Sequence, residues 1–293
     1  MQSYEPKIQR RLSRISIRGV DYAVNEWGEP SAPLLVYLHG WGDTGSTFQF
    51  VVDELAGDWF VVAPDWRGFG GSSGGASAYW FPNYLADLDH LLTRYTPTRP
   101  ARLLGHSMGG NVASLYAGVM PERVEAFINL EGFGLPDSDP GEAPARYREW
   151  IQQSHAKPAL SSYRDFGDLT ARISKRNPAM TLARAQFVAR EWAEPGADGR
   201  IRLRVDPAHK LPSAVLYRRA EAEACWRAVR AEVLVLVGSD SEFASVLGPD
   251  SDADAGRLPF PRATIRRIDR AGHMLHFDRP DEVARHIDAF FAL

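Results

Sequence analysis

Short apolar runs, each stopped by Gly, Pro or Asp after about five or six residues, recur along this 293-residue chain and leave few architectures open to it. The clearest are Leu34 to Leu38, Phe60 to Ala63, Arg102 to Leu104, Ala126 to Leu130 and Val233 to Val237, with a weaker run from Thr264 to Ile268. Rich in β-branched residues and lacking polar alternation, they suit strands buried on both faces of a parallel sheet. Two alternating stretches, Leu12 to Ile17 and Tyr22 to Trp27, precede any helical pattern and predict an antiparallel pair that opens the sheet. Helix candidates lie between the later runs: Tyr84 to Tyr95, with leucines at 85, 88, 91 and 92, Gly109 to Met120, and Asp281 to Phe291. Strand and helix in alternation predict a doubly wound α/β fold, in which ligand sites lie outside the C-terminal ends of the strands.

The alternation lapses over residues 135–231, where Arg-rich, Trp-containing segments of helical character replace the apolar runs. We expect a helical cap there, inserted into a core made of residues 1–134 and 232–293, with Gly134 to Pro144 and Glu194 to Gly199 as loops. Residues 135–232 carry 17 Lys and Arg against 13 Asp and Glu, a net of +4, and the remainder carries 17 against 24, a net of −7. A basic cap over an acidic core would favour an anionic substrate, although arginines solvated on helix faces give the same count.

Composition narrows the function further. With 44% hydrophobic and 24% charged residues and a formal charge of −3, the chain has neither the signature of disorder nor a basic footprint for nucleic acid. The single Cys225 excludes an intramolecular disulfide, and the charged start MQSYEPKIQRRLSRIS lacks the apolar stretch of a signal peptide, so a cytoplasmic protein is expected. No run approaches the roughly 20 apolar residues of a membrane span, and no HExxH or other metal-ligand spacing is present; neither cofactor nor metal is expected. The expected partner is a small acyl molecule, with the chain a monomer or homodimer.

The chemistry concentrates in Gly105-His106-Ser107-Met108-Gly109-Gly110, directly after one apolar run and directly before a helix. A serine at such a sharp strand-to-helix turn projects its hydroxyl above the sheet, and the flanking glycines let the chain pass close to itself. Ser107 is therefore the candidate nucleophile and the backbone N–H of Met108 a candidate oxyanion donor. A second turn, His39-Gly40-Trp41-Gly42-Asp43, offers the N–H of Trp41 as the other donor, with His39 as a structural hydrogen-bonding residue. The general base must come late in the chain, and Ala271-Gly272-His273-Met274-Leu275-His276 supplies His273, with His276 expected to point elsewhere. His90, His155, His209 and His286 read as surface or packed residues.

With HGWGD, APDWRGFGGSS, GHSMGG and AGHMLHFDRP in this order, nearly the whole chain resembles the α/β-hydrolase superfamily. The resemblance implies an eight-stranded, mostly parallel sheet, a cap inserted after the sixth strand, and a Ser-acid-His triad that forms an acyl-enzyme. The Asp65 to Ser73 turn matches one that is structural in the family. The acid departs from the commonest pattern, because Ser241 stands at the usual Asp position after Gly238, flanked by Asp240 and Glu242. Glu131, at the end of the sixth strand, resembles the placement in some haloalkane dehalogenases and is the favoured acid, with Asp240 or Glu242 as alternatives. A serine at the elbow in place of Asp disfavours dehalogenase or epoxide-hydrolase chemistry.

The resulting expectation is a carboxylesterase-like serine hydrolase whose specificity is set by Trp150, Trp192 and Trp226 in the cap. The alternatives are a thioester or carbon-carbon bond hydrolase, a proline iminopeptidase-like enzyme using one of Glu191, Glu194, Glu221 or Glu223, and a non-catalytic ligand receptor of the same fold.

Overall fold

A computed structural model describes residues 3–155, 158–243 and 258–292. In chain order the strands are β1 (Arg11–Ile17), β2 (Val20–Trp27), β3 (Leu34–Leu38), β4 (Phe60–Pro64), β5 (Ala101–His106), β6 (Val124–Leu130), β7 (Ser162–Tyr163), β8 (Ala193–Pro195), β9 (Ile201–Leu203), β10 (Glu232–Gly238) and β11 (Ala263–Ile268). The helices are α1 (Gln49–Val52), α2 (Phe81–Tyr95), α3 (Met108–Val119), α4 (Ala143–Ser154), α5 (Phe166–Arg176), α6 (Leu182–Trp192), α7 (Arg219–Arg227), α8 (Leu275–Asp278) and α9 (Pro280–Phe290). Every apolar run singled out in the sequence is a strand, with the same bounds for Leu34–Leu38 and one or two residues added at an end for the others.

Eight strands form one sheet in the order β1-β2-β4-β3-β5-β6-β10-β11. The β1/β2 and β2/β4 pairings are antiparallel and the others parallel. Alternate residues of the central strands enter two separate cores. Val36, Leu38, Val62, Leu103, Phe127 and Val235 face one side, packed on Leu88 and Leu91 of α2, Val112 and Tyr116 of α3, and Trp226 of α7. Leu35, Tyr37, Val61, Leu104, Ile128 and Leu236 face the other, under Val51 and Val52 of α1 and Val283 and Ile287 of α9. Both faces are covered, so polar alternation is absent from these strands.

The residues between β6 and β10 hold a three-stranded sheet, β7-β9-β8, which the sequence does not announce. Strands of two or three residues are too short for a period-two pattern to register. Leu169, Ile173, Ala185, Val188, Ala193 and Ile201 of this segment form a third small core that also takes in Phe50 and Phe277 from the main body. Asp165 caps α5, its carboxylate accepting the Asp168 N–H at 2.8 Å. Many of the segment's arginines are locally matched: Arg164 to Asp165, Arg202 to Asp198, Arg204 to Glu194, and Arg219 and Arg227 to Glu223. These partners lie within the same segment, so the pairs leave its net charge of +4 unchanged. No helix among the described residues is long and apolar enough to cross a membrane.

The Asp65 to Ser73 turn has a structural task. Buried Asp65 accepts from Gly45 N (2.8 Å) and Asn25 Nδ2 (3.1 Å) on one oxygen and from Gly71 N (2.8 Å) on the other. Arg67 grips Asp87 of α2 at 2.6 and 2.7 Å.

Burial lowers the pKa of four histidines from the ordinary 6.5: His39, His106, half-buried His286 and, between the rings of Phe69 and Tyr79, His209 to about 4. The unfolded chain takes up protons on these residues below about pH 6.5 and the folded chain does not, so stability is lost as pH falls below that value. Each fully shifted histidine contributes up to ~1.4 kcal/mol per pH unit. Urea unfolding is expected to give a lower stability at pH 5.5 than at pH 7.5; equal values would contradict the buried neutral state.

Candidate active site

Ser107 sits between β5 and α3 with φ 50° and ψ −112°, a conformation that costs a non-glycine residue of order 1–3 kcal/mol. Its surroundings fix it there. Its N–H donates to Leu130 O at 2.8 Å, tying the elbow to the end of β6. A Cβ on Gly109 would lie 2.0 Å from Leu38 O, and one on Gly105 would lie 2.4 Å from Gly109 O, so only glycine lets α3 start this close to β3 and β5. The turn carrying Trp41 presses on the same place: a Cβ on Gly40 would lie 2.7 Å from His106 Nδ1 and 3.3 Å from Ser107 Cβ. Met108, the first residue of α3, has an N–H that the helix itself cannot satisfy.

Glu131 follows β6 directly, also with positive φ (56°). Asn129 braces this bend by clasping Gly132: its Oδ1 accepts Gly132 N at 2.6 Å and its Nδ2 donates to Gly132 O at 2.9 Å. The register pairs Leu130 with Leu236, so Glu131 lies beside the end of β10. There its fully buried carboxylate accepts Gly238 N (2.9 Å) on Oε1 and Ser241 Oγ (2.6 Å) on Oε2.

The third contact to this carboxylate is His273, whose Nδ1 donates to Glu131 Oε2 at 2.6 Å. With Nδ1 donating to Glu131, Nε2 is the nitrogen left to face other groups. His273 also adjoins the elbow: its carbonyl accepts His106 Nε2 at 2.9 Å, and its ring centroid is 4.8 Å from that of His106. Phe243 lies against its other side, with centroids 4.6 Å apart.

Of the sequence alternatives for the acid, Asp240 is exposed and takes the Ser239 hydroxyl at 2.9 Å, and Glu242 is exposed too. Trp41 is 53% exposed beside Phe69. Trp226, expected to face substrate, is instead 1% exposed within the main core, because α7 packs on α3 and Arg219 covers its ring. The sequence reading also missed what Ser241 and Asn129 do. A polar residue within a β-branched strand was the available signal for Asn129, whereas the partner of Ser241 is 110 residues away.

His276 does point away from Glu131, into a second buried cluster. Its Nε2 meets Asp43 Oδ2 at 3.1 Å, and its ring lies 4.5 Å from that of His106. Asp43 Oδ1 accepts Thr47 Oγ1 and Trp192 Nε1, both at 2.7 Å. Burial alone would raise the Asp43 pKa, but the bond to His276, the charge interactions with His276 and His39, and the Thr47 hydroxyl hold it below the ordinary carboxylate value. Asp43, His106 and His276 bring three potential metal-ligand atoms within 4.8 Å of one another. Both Asp43 oxygens and His106 Nε2 are already committed to hydrogen bonds, whereas Nδ1 of His106 and Nδ1 of His276 are buried without a hydrogen-bond partner among the described residues. His39 serves its turn: Nδ1 donates to Gly40 O (2.7 Å) and Nε2 accepts Trp66 N (2.8 Å). Two surface depressions of about 500 Å³ lie elsewhere, one near Gly68, Arg204 and Asp206, the other near Trp27 and Trp59.

Ser241→Ala deletes one of the three hydrogen bonds to a buried carboxylate and is expected to cost about 1.5–3 kcal/mol in urea unfolding. A change under about 0.5 kcal/mol, the level of an ordinary surface substitution, would show that the Glu131 carboxylate does not depend on it.

Comparison with known proteins agrees with this fold. Residues 33–280 match the family described as alpha/beta hydrolase fold. A serine hydrolase-like protein of Danio rerio is 27% identical over 273 residues, which is 90% of this chain and 83% of the relative. The crystal structure of a hypothetical protein from Pseudomonas aeruginosa PAO1 superposes with TM-score 0.83 at 28% identity, covering 96% of this chain and 99% of that one. A thioesterase domain from the curacin biosynthetic pathway superposes with TM-score 0.85 at 23% identity, with coverage of 96% and 99%, a likeness of fold.

Proposed function

The chain belongs to the α/β hydrolase family, and from that premise we propose that it is a serine hydrolase that transfers the acyl group of a small carboxylic ester to water through Ser107, His273 and Glu131. The observation that carries this reading is the 2.6 Å bond from His273 Nδ1 to the buried Glu131 carboxylate, one strand away from a serine held in a strained elbow. With Nδ1 protonated and oriented by Glu131, His273 Nε2 takes the Ser107 proton as the hydroxyl oxygen attacks the ester carbonyl. The oxyanion forms against the N–H groups of Met108 and Trp41. The imidazolium, stabilised by Glu131, then returns its proton to the departing alkoxide and leaves Ser107 acylated. Water, deprotonated by the same nitrogen, attacks the acyl-enzyme and regenerates the serine.

Residues 135–231 act in this reading as a cap, since Trp192 reaches across to Asp43 in the Trp41 turn. The iminopeptidase alternative draws less support. Of the four glutamates that were candidates for a substrate amine, Glu191 is paired with Arg10 at 2.7 Å, Glu194 with Arg204, and Glu223 with Arg219 and Arg227.

A fluorophosphonate is expected to label Ser107, and short p-nitrophenyl esters to give a burst of nitrophenol that Ser107→Ala abolishes. Ligand-induced stabilisation without label or burst would favour a receptor. A panel of esters, thioesters and N-terminal prolyl amides ranks the acyl classes.

Glu131→Gln is expected to lower kcat on the order of 10⁴-fold, as loss of a triad carboxylate does elsewhere, while Asp240→Asn stays within about twofold. The opposite ranking would remove Glu131 from the proposed triad.

A further inference from the structure

The Asp43 cluster is not used by the chemistry above, yet it touches both sides of it. Asp43 closes the turn that carries Trp41, its N–H donating to Gly40 O at 3.3 Å. Its carboxylate is 2% exposed and collects donors from three separate parts of the chain: Thr47, His276 of α8, and Trp192 at the end of α6, 149 residues away. His276, fully buried, packs on His106 with ring centroids 4.5 Å apart. His106 in turn donates Nε2–H to the backbone carbonyl of His273 at 2.9 Å. Bonds and ring contacts therefore run unbroken from the indole of Trp192 to the residue that carries the proposed base. A branch reaches the turn that carries a proposed oxyanion donor.

Burial keeps His106 neutral, so Nε2 carries its proton and the bond to His273 O has one direction. Trp192 and His273, at the two ends of this chain of contacts, are partly exposed, whereas Asp43, His276 and His106 between them are buried. The Trp192 ring lies 6.1 Å from that of Phe277, so the side chain has two separable features, an aromatic packing surface and a single N–H.

Resting on the serine-hydrolase reading, we infer that Trp192 is a positioning residue: through Asp43 its indole N–H holds the Trp41 turn and the His273 loop in register with Ser107. The end of α6 is thereby coupled to the reacting groups through Asp43. A ligand that displaces the end of α6 would act on the rate of acyl transfer, and an Asp43 deprived of Trp192 would leave both the turn and the loop less firmly set.

Trp192→Phe keeps the ring and deletes only the N–H, and Asp43→Asn removes the charge to which that N–H is tied. The wild type, both single variants and the double variant are compared for kcat and KM on p-nitrophenyl butyrate and for the rate of fluorophosphonate labelling. Circular dichroism melts establish that each variant is folded. Trp192→Phe is expected to lower kcat and the labelling rate about tenfold with KM within about twofold. In the Asp43→Asn background the same change is expected to add less than about twofold, because the two residues act as one unit.

A folded Trp192→Phe with wild-type kcat, or effects that simply multiply in the double variant, would overturn the inference while leaving the hydrolase reading intact. Should Asp43→Asn not fold, the division between kcat and KM in Trp192→Phe decides alone, since a packing role would leave both unchanged. A wild-type protein that neither labels nor hydrolyses would overturn the functional reading and this inference with it.

Discussion

A carboxylate removed from water is costly unless its oxygens are occupied, and Glu131 meets that condition with three donors: a backbone amide at the end of β10, the Ser241 hydroxyl and the His273 imidazole. This interaction dictates much of the surrounding architecture. The 107 residues separating Glu131 from Gly238 must return the chain to the strand beside β6, and the loop after β11 must come back far enough to bring a ring to the same oxygen. The left-handed backbone at Glu131, braced by Asn129, is the local distortion that turns the side chain toward these donors.

A second strained residue lies one strand away. Ser107 and Glu131, neighbours across β5 and β6, both have positive φ, and the Ser107 amide is bonded to the carbonyl immediately before Glu131. Both distortions sit at the C-terminal edge of the parallel sheet, where strands end and no ladder bond is lost. The two apolar cores on either face supply the rigidity that keeps them in place. Asp43 organises a parallel network beside the first. One carboxylate orients the ring of His273, and the other ties together the turn, helix and neighbouring segment that surround it.

Much of this was legible in the chain because it depends on local signals. A strand buried on both faces has to be apolar, so β3, β4, β5, β6 and β10 announce themselves as apolar runs, while β1 and β2 show by alternation. An elbow needs glycine where backbone meets backbone, so Gly105 and Gly109 frame Ser107 in the sequence itself. Glu131 could be favoured over Asp240 and Glu242 by analogy, but no local pattern separates three carboxylates that each follow an apolar run. The strands β7, β8 and β9 escaped notice because they are too short to carry a period. Trp226 was misread because a tryptophan in an irregular segment looks the same whether it faces a ligand or the underside of α3.

The sequence by itself determined the alternating architecture, the sharp turn that carries Ser107 and the late histidine, since each rests on hydrophobic periodicity or backbone sterics within about ten residues. The tertiary structure decided which carboxylate meets His273, that Ser241 stands behind it, and that Asp43, His276 and Trp192 form one cluster. Those choices depend on strand register and on contacts between residues 110 to 233 positions apart, and a buried polar group finds its partner only once the chain has closed around it.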